Sequence, residues 1–309
     1  MTKEALLTVF ANFNIDNLER LQRMKDSYNS FKRVKPDQYI INIRGKLKHK
    51  AGKFLKQKVG KKLELTYLNS RRGWLNDSRI ISKKIISKFV FFWIEDNLLI
   101  SSPDTFKKCI KEMELYKVDQ LQYSLLHDEM RKTWSILPAL KVGKYFKTIE
   151  LNFNNCNKIK NKLKEDFYTI STLHIFEKNF FFKILFSNKP FLKRWPRHLP
   201  FDFEKKSADK ISPNISLAIP HKELFAVIDD DHENPGYSLI SRKKYANRIS
   251  RNNLRQIEYN NVKKTHPSSF NSKIINLLKK NSFLKKLLII SLYFIKRVFY
   301  TLNIYGNKK

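Results

Sequence analysis

The feature that most constrains the fold is a regular alternation of short apolar runs with amphipathic segments across the first hundred residues. The apolar runs predict strands at Ala5–Phe10, Tyr39–Ile43, Leu63–Leu68 and Phe89–Ile94. The intervening segments predict helices from a cap at Asp16 or Asn17 to Phe31, and over Lys46–Val59, Asp77–Lys88 and Asp104–Tyr116. This alternation favours an α/β fold with a mostly parallel sheet flanked by helices.

The overall charge requires either a partner or a compositional explanation. The 309 residues include 62 Lys and Arg against 28 Asp and Glu, a formal net charge of +34. Residues 241–309 carry 17 of the basic residues and one acidic residue. Nucleic acid, anionic lipid or a phosphorylated substrate would each suit such a chain. A composition rich in Lys, Asn, Ile and Phe is also what an AT-rich genome produces.

Two acidic residues follow the fourth predicted strand, where the apolar run stops at Glu95-Asp96-Asn97. In open α/β sheets, ligands bind at the carboxyl ends of the strands. Adjacent carboxylates at such an end suit a hard divalent cation and the phosphates that it carries. The alternative interpretation is an ordinary charged turn.

A family resemblance adds to this pattern. The segment 73–79 (GWLNDSR), the strand 89–94 with its acidic end and the helix start at 102–104 (SPD) resemble family 2 glycosyltransferases of the GT-A fold. Residues 6–14 (LLTVFANFN) look like the family's first strand and its Asn-bearing turn, so the resemblance covers about residues 5–125. It implies a nucleotide-sugar donor, with a divalent cation (Mn²⁺ or Mg²⁺) and the diphosphate held by Asp96 with Glu95. It also implies that Asn14, Asn76 and Arg79 lie near the nucleotide.

The second strand departs from the family pattern. Family members usually end this strand in acidic residues that hold the nucleotide base, whereas here it ends in Asn42 and Arg44. The departure keeps a non-catalytic, membrane-surface protein of the same fold as an alternative.

Further along the chain, several carboxylates are candidates for the base that an inverting sugar transfer needs to deprotonate the acceptor hydroxyl. Asp229 and Asp231 follow an apolar strand predicted at Glu223–Ile228, and the alternative for them is an acidic surface loop. The other two candidates are Asp128 and Glu129, after a strand predicted at 121–126. The intensely apolar segment Phe176–Phe186 predicts a buried strand or hairpin.

The basic C-terminal segment has the pattern of an interfacial helix. Its longest apolar run, Leu287–Ile295, is too short to span a bilayer and is flanked by lysine and arginine. We therefore expect three parts: a nucleotide-sugar-binding part (1–130), an acceptor-side part of the same catalytic domain (131–240) and a basic amphipathic helical tail (241–309). The expected location is cytoplasmic, peripheral on the inner face of the membrane, with the tail on the anionic surface.

The predicted function is a glycosyltransferase that moves a sugar from a nucleotide-sugar to a surface-glycan or lipid-linked acceptor with the help of a metal. The second alternative is a basic nucleic-acid-binding protein. The sequence argues against it because no helix-turn-helix, zinc-finger or RNA-recognition signature is present. With only two cysteines, the chain cannot form a multi-disulfide scaffold or a cysteine-rich zinc fold.

Overall fold

A computed structural model of the chain describes residues 5–70, 73–124, 133–163, 169–187, 212–229 and 238–246. These residues lie within one compact unit, Met1–Arg248. The expected tail falls almost entirely outside the described residues, so the three-part division of the chain stays a prediction.

Eleven strands and six α-helices make up the described part. The strands are β1 (Leu7–Asn14), β2 (Gln38–Arg44), β3 (Leu63–Thr66), β4 (Phe89–Phe92), β5 (Asn97–Leu99), β6 (Gln120–Gln122), β7 (Lys141–Val142), β8 (Phe146–Leu151), β9 (His174–Glu177), β10 (Ile215–Pro220) and β11 (Phe225–Val227). The helices are α1 (Leu18–Phe31), α2 (Lys48–Val59), α3 (Trp74–Ser82), α4 (Pro103–Tyr116), α5 (Phe153–Leu163) and α6 (Lys178–Phe186).

Nine of the strands form one mixed sheet in the order β3-β2-β1-β4-β9-β6-β10-β8-β7. The first four are mutually parallel, and β9 runs antiparallel to both β4 and β6. Since β10 is parallel to β6, and β8 is antiparallel to both β10 and β7, only β8 and β9 oppose the other seven strands. The expected α/β class and mostly parallel sheet are confirmed. A separate antiparallel ribbon joins β5 to β11.

Helices cover both faces of the sheet, as the apolar strands require. One core contains alternate β1 residues (Val9, Ala11 and Phe13) with the apolar faces of α1, α2 and α4. The other contains Phe10 with the apolar faces of α3, α5 and α6. No helix in the described part of the chain is long and apolar enough to cross a membrane.

The prediction for Phe176–Phe186 was wrong beyond Glu177. The strand β9 ends there and the helix α6 begins. The Glu177 carboxylate accepts a hydrogen bond of 2.9 Å from the Phe180 amide, which caps the new helix. Buried side chains at 180, 181, 184 and 185 follow helical spacing, a pattern that the continuous apolar run concealed.

Candidate functional site

A cleft lies at the carboxyl ends of β1, β2 and β4. The chain moves outward from β1 to β2 and β3 and then returns to β4 on the other side of β1. This reversal is the position where open α/β sheets bind ligands. The cleft encloses about 390 Å³, including space open to solvent. It is lined by Asn12, Phe13, Asn14, Arg20, Arg44, Trp74, Phe92, Trp93, Ile94 and Glu95.

The cleft floor is fixed by hydrogen bonds among buried amides. Asn12 Nδ2 donates to the Trp74 carbonyl at 3.1 Å and to Ser78 Oγ at 2.9 Å. In return, Trp74 Nε1 donates to the Asn12 carbonyl at 3.0 Å. Asn42 Nδ2 donates to Asn12 Oδ1 at 2.9 Å. These bonds connect β1 and β2 to the N-terminal half of α3. Breaking any of them would leave a buried polar group without a partner, which is costly.

Aromatic rings form the walls. Trp93 packs edge-on against Phe13, with ring centroids 4.8 Å apart, and its Nε1 donates to Ser27 Oγ at 2.8 Å. On the opposite face of the sheet, Trp74 stacks on Phe92 at 5.8 Å. Both tryptophans are buried and hydrogen-bonded, so the aromatic part of the cleft lining is held in place.

Arg44 supplies a buried positive charge at the end of β2, where it is only 5% exposed. Burial lowers the pKa of Arg44, and the charges of Asp77, Asp16 and Glu95 act in the opposite direction. A guanidinium stays protonated at neutral pH. Gly45 ends the strand at a φ of +93°, which turns the chain beside Ile15.

Arg20 brings a second guanidinium to the cleft from the first turn of α1. Asn17 caps this helix by accepting a 2.9 Å hydrogen bond from the Arg20 amide. The helix starts just after β1, so its first turn lies at the carboxyl edge of the sheet. Arg20 Nη1 pairs with the carboxylate of Glu95, which among the described residues is the only acidic side chain lining the cleft.

Next to Glu95 in the chain, the β5–β11 ribbon brings together two of the predicted acidic residues, Asp96 and Asp229. The Ile228 amide donates to the Asp96 carbonyl at 2.8 Å, so Asp229 lies close to Asp96. Arg23 donates to Asp229 at 2.8 Å and to Glu19 at 3.0 Å.

The electrostatic environment of Asp96 favours its protonated form. Burial, followed by repulsion from Glu95 and Asp229, raises the pKa of Asp96 to about 7, and the attraction of Arg23 and Arg20 only partly offsets this. Asn97 Nδ2 donates to Asp96 Oδ1 at 2.9 Å.

These acidic residues do not fit a resident divalent cation. Glu95 is paired with Arg20, and Asp229 with Arg23. Within the described ranges, His, Cys, Asp and Glu side chains form no group of three or more that could hold a metal ion. A divalent cation bound by these carboxylates would lie beside the positive charges of Arg20 and Arg23.

The structure brings together some predicted site residues and separates others. Asn14 and Glu95 line the cleft, whereas Asp96 and Asp229 lie close to each other and are not part of its lining. Asp128, Glu129 and Asp231 fall outside the described residues.

The other two predicted residues, on α3, make contacts away from the cleft lining. Arg79 donates to the carbonyls of Leu185 at 2.7 Å and Ser187 at 3.3 Å, at the C-terminal end of α6. Asn76 Nδ2 lies 3.4 Å from Ser70 Oγ. Neither residue is among those that line the cleft.

Sequence reasoning missed Arg20, Asn12 and Trp93 as cleft residues. Arg20 lies in a predicted helix, and only the strand order shows that its turn faces the end of β4. Asn12 could have been recognised from the sequence, because a polar side chain within an apolar strand usually has a specific hydrogen-bonding role.

No protein-family model matches the sequence, and no curated protein matches it. Among solved structures, the chain is similar to S. aureus TarS 1–349, at 13% identity and a TM-score of 0.44, over 71% of this chain and 59% of that one. For the same TarS segment in complex with UDP, the values are 12%, 0.42, 71% and 59%.

A 4-diphosphocytidyl-2C-methyl-D-erythritol synthase from Anaerococcus prevotii matches at 12% identity and a TM-score of 0.39, over 71% of this chain and 89% of that one. This chain spans about three fifths of the length of the TarS segment that it matches. The fold assignment rests on the strand order and register, since these identities and TM-scores are low.

Proposed function

We propose that the chain is a glycosyltransferase that takes its sugar from a nucleotide-sugar bound in the cleft. The observation that supports this most directly is the position and lining of the cleft. It lies where the strand order reverses, and it combines two guanidinium groups, one carboxylate and two tryptophans. Guanidinium groups suit phosphates and aromatic rings suit a base or a sugar, so the lining matches both parts of such a donor.

In the proposed reaction, an acceptor hydroxyl oxygen bonds to the anomeric carbon of the donor sugar. The bond from that carbon to the phosphate oxygen breaks, and the nucleotide leaves with the electron pair. The acceptor proton passes to a carboxylate. Asp229 is the candidate for this base within the described residues, and Asp128, Glu129 and Asp231 remain candidates outside them. The proposed acceptor is a surface glycan or a lipid-linked precursor, reached from an anionic membrane surface by way of the basic tail.

The donor is identified by thermal unfolding with a panel of UDP-, GDP-, CMP- and dTDP-sugars, each with and without Mn²⁺. A bound ligand stabilises the folded state in proportion to the logarithm of its excess over Kd. We expect one nucleotide class to raise Tm and the others to leave it unchanged. Sugar transfer to lipid-linked acceptors is then followed with the donor that binds.

Two asparagine variants test whether binding occurs in this cleft. Asn14→Ala removes a cleft-lining amide whose Nδ2 donates to Asp16 at 2.7 Å, and we expect it to weaken donor binding. Asn29→Ala removes an exposed amide on the far half of α1 and serves as the matched control. If no nucleotide-sugar raises Tm under any condition, the proposed function is wrong, and the two alternatives, a non-catalytic membrane-surface protein and a basic nucleic-acid-binding protein, are tested next.

A further inference from the structure

We propose that the cleft holds the diphosphate of a nucleotide on the guanidinium groups of Arg20 and Arg44, without a divalent cation. The inference rests on the proposed function, because it concerns the same cleft. It replaces the cation that the sequence resemblance implied with two side chains of this chain.

The first argument is convergence. Arg20 comes from the first turn of α1 and Arg44 from the last position of β2, yet both line the same small cleft. Arg44 is held there by a buried strand end and by the glycine turn that follows it. A planar guanidinium can donate two parallel hydrogen bonds to phosphate oxygens, so two of them can engage both phosphates of a diphosphate.

The second argument is charge. In the described part of the chain, the lining has two positive side chains and one negative one, Glu95, which is paired with Arg20. A divalent cation bound at Glu95 would have to displace a guanidinium and remain beside another. A diphosphate competes only with Glu95 for Arg20, and it brings negative charge to two guanidinium groups, so the net charge of these lining residues favours it over a cation.

The third argument is the position of the remaining acidic side chains. Asp229 is paired with Arg23, and neither residue is part of the cleft lining. Asp96 is adjacent to Glu95 but does not line the cleft. Among the described residues, the carboxylates that the resemblance assigned to a metal are therefore either paired with arginine or outside the cleft lining.

The test is binding of UDP, GDP, dTDP and inorganic pyrophosphate to the full chain, measured by calorimetry and by the shift in Tm. Each ligand is titrated in EDTA, and the three nucleotides are titrated again with Mn²⁺. We expect one nucleotide and pyrophosphate to bind in EDTA, and Mn²⁺ to change the nucleotide Kd by less than about threefold.

Arginine variants locate the binding. Arg20→Gln and Arg44→Gln should each weaken pyrophosphate and nucleotide binding by about ten- to a hundredfold, the range for losing a charge-assisted hydrogen bond. Arg33→Gln removes an exposed arginine from the turn after α1 and should leave binding unchanged. If burial prevents Arg44→Gln from folding, Arg20→Gln carries the test, because Arg20 is partly exposed.

Glu95→Gln separates the arginine site from a metal site by the direction of its effect. If Glu95 holds a cation, this variant loses nucleotide binding. If the arginines hold the diphosphate, the variant removes the negative charge that competes for Arg20, and binding becomes several-fold tighter.

The outcomes distinguish the two proposals. Nucleotide binding that requires Mn²⁺, that is confined to CMP-sugars or that is lost in Glu95→Gln overturns this inference and leaves the proposed function standing. Pyrophosphate binding in EDTA that is equally strong in the arginine variants shows general attraction to a basic protein and also overturns it. Binding of pyrophosphate at the two arginines, with no nucleotide bound, supports the anion site and refutes the proposed function.

Discussion

Asp96→Asn should stabilise the folded protein above neutral pH. The pKa of Asp96 is about 7 in the folded state against an ordinary value of 3.8, because of burial and then repulsion by neighbouring carboxylates. Between these values the folded protein retains a proton that the unfolded chain has lost, so the contribution of Asp96 to stability falls as pH rises from about 4 to about 7. The difference corresponds to at most about 4 kcal/mol above pH 7.

Asparagine has nearly the same shape and no charge, so the variant avoids this cost. Because Asp96 keeps part of its solvent contact, we expect a gain of about 1–2 kcal/mol, or roughly 2–8 °C in Tm. The advantage should be small near pH 4, grow up to about pH 7 and then stay constant. Urea unfolding followed by tryptophan fluorescence at a series of pH values measures it directly.

Asp104→Asn is the control for the loss of one negative charge from a basic protein. Asp104 is exposed in the first turn of α4, where a carboxylate interacts favourably with the helix dipole. Its replacement should lower stability slightly at neutral pH, which is the opposite direction. A profile for Asp96→Asn that runs parallel to the wild type at every pH would refute the reasoning about Asp96.

Three further substitutions test a turn, an ion-pair cluster and a helix cap, each through the free energy of unfolding measured in urea. Gly45→Ala should destabilise the protein by at least about 2 kcal/mol, because a Cβ there would lie 2.6 Å from backbone atoms at a φ of +93°. Gly60→Ala, also at positive φ but with open space around it, adds backbone strain without this clash and should cost less; equal losses would contradict the close approach. Arg23→Ala leaves the largely buried carboxylates of Glu19 and Asp229 without their partner and should lower the free energy of unfolding by about 3 kcal/mol. Arg33→Ala, at an exposed position, should lower it by less than about 0.5 kcal/mol. A small loss for Arg23→Ala would mean that its ion pairs contribute little to stability. Glu177→Ala removes the cap of α6 and should cost about 1 kcal/mol, a loss that Glu177→Asp should largely avoid.

The sequence predicted the order of helices and strands in the first half of the fold, because periodicity and caps act locally. The helix after β1 starts at Asn17, one of its two predicted caps, and β2 extends the predicted strand by one residue at each end. The bounds of α3 were predicted less well, since it runs from Trp74 to Ser82 and not over Asp77–Lys88. The ribbon strand β5 was missed, since three residues after Asp96 form a strand only through pairing with β11, more than a hundred residues later. A pairing of this kind leaves no local pattern.

The candidate site was only partly predictable for the same reason. Glu95 and Asn14 follow directly from strand ends, and the structure places both in the cleft. Arg79 was assigned from its position in a motif, but its guanidinium bonds to carbonyls next to α6, an element that the sequence predicted as a strand or hairpin. Arg44 appeared in the sequence as a departure from a family pattern, and only the geometry shows that the departure lines the cleft.

The cationic residues at the cleft are not explained by the overall composition of the chain. The chain has 47 lysines and 15 arginines, so a randomly placed cation would be arginine only about a quarter of the time. Yet in the described part of the chain, both cationic positions that line the cleft, 20 and 44, are occupied by arginine, and so is position 23, which pairs with Asp229. Arginine is less strongly hydrated than lysine and presents a rigid fork of donors, which suits buried positions that must bind carboxylates or phosphates. An AT-rich genome explains an excess of lysine on the surface, but it would work against three arginines gathered at one end of a sheet.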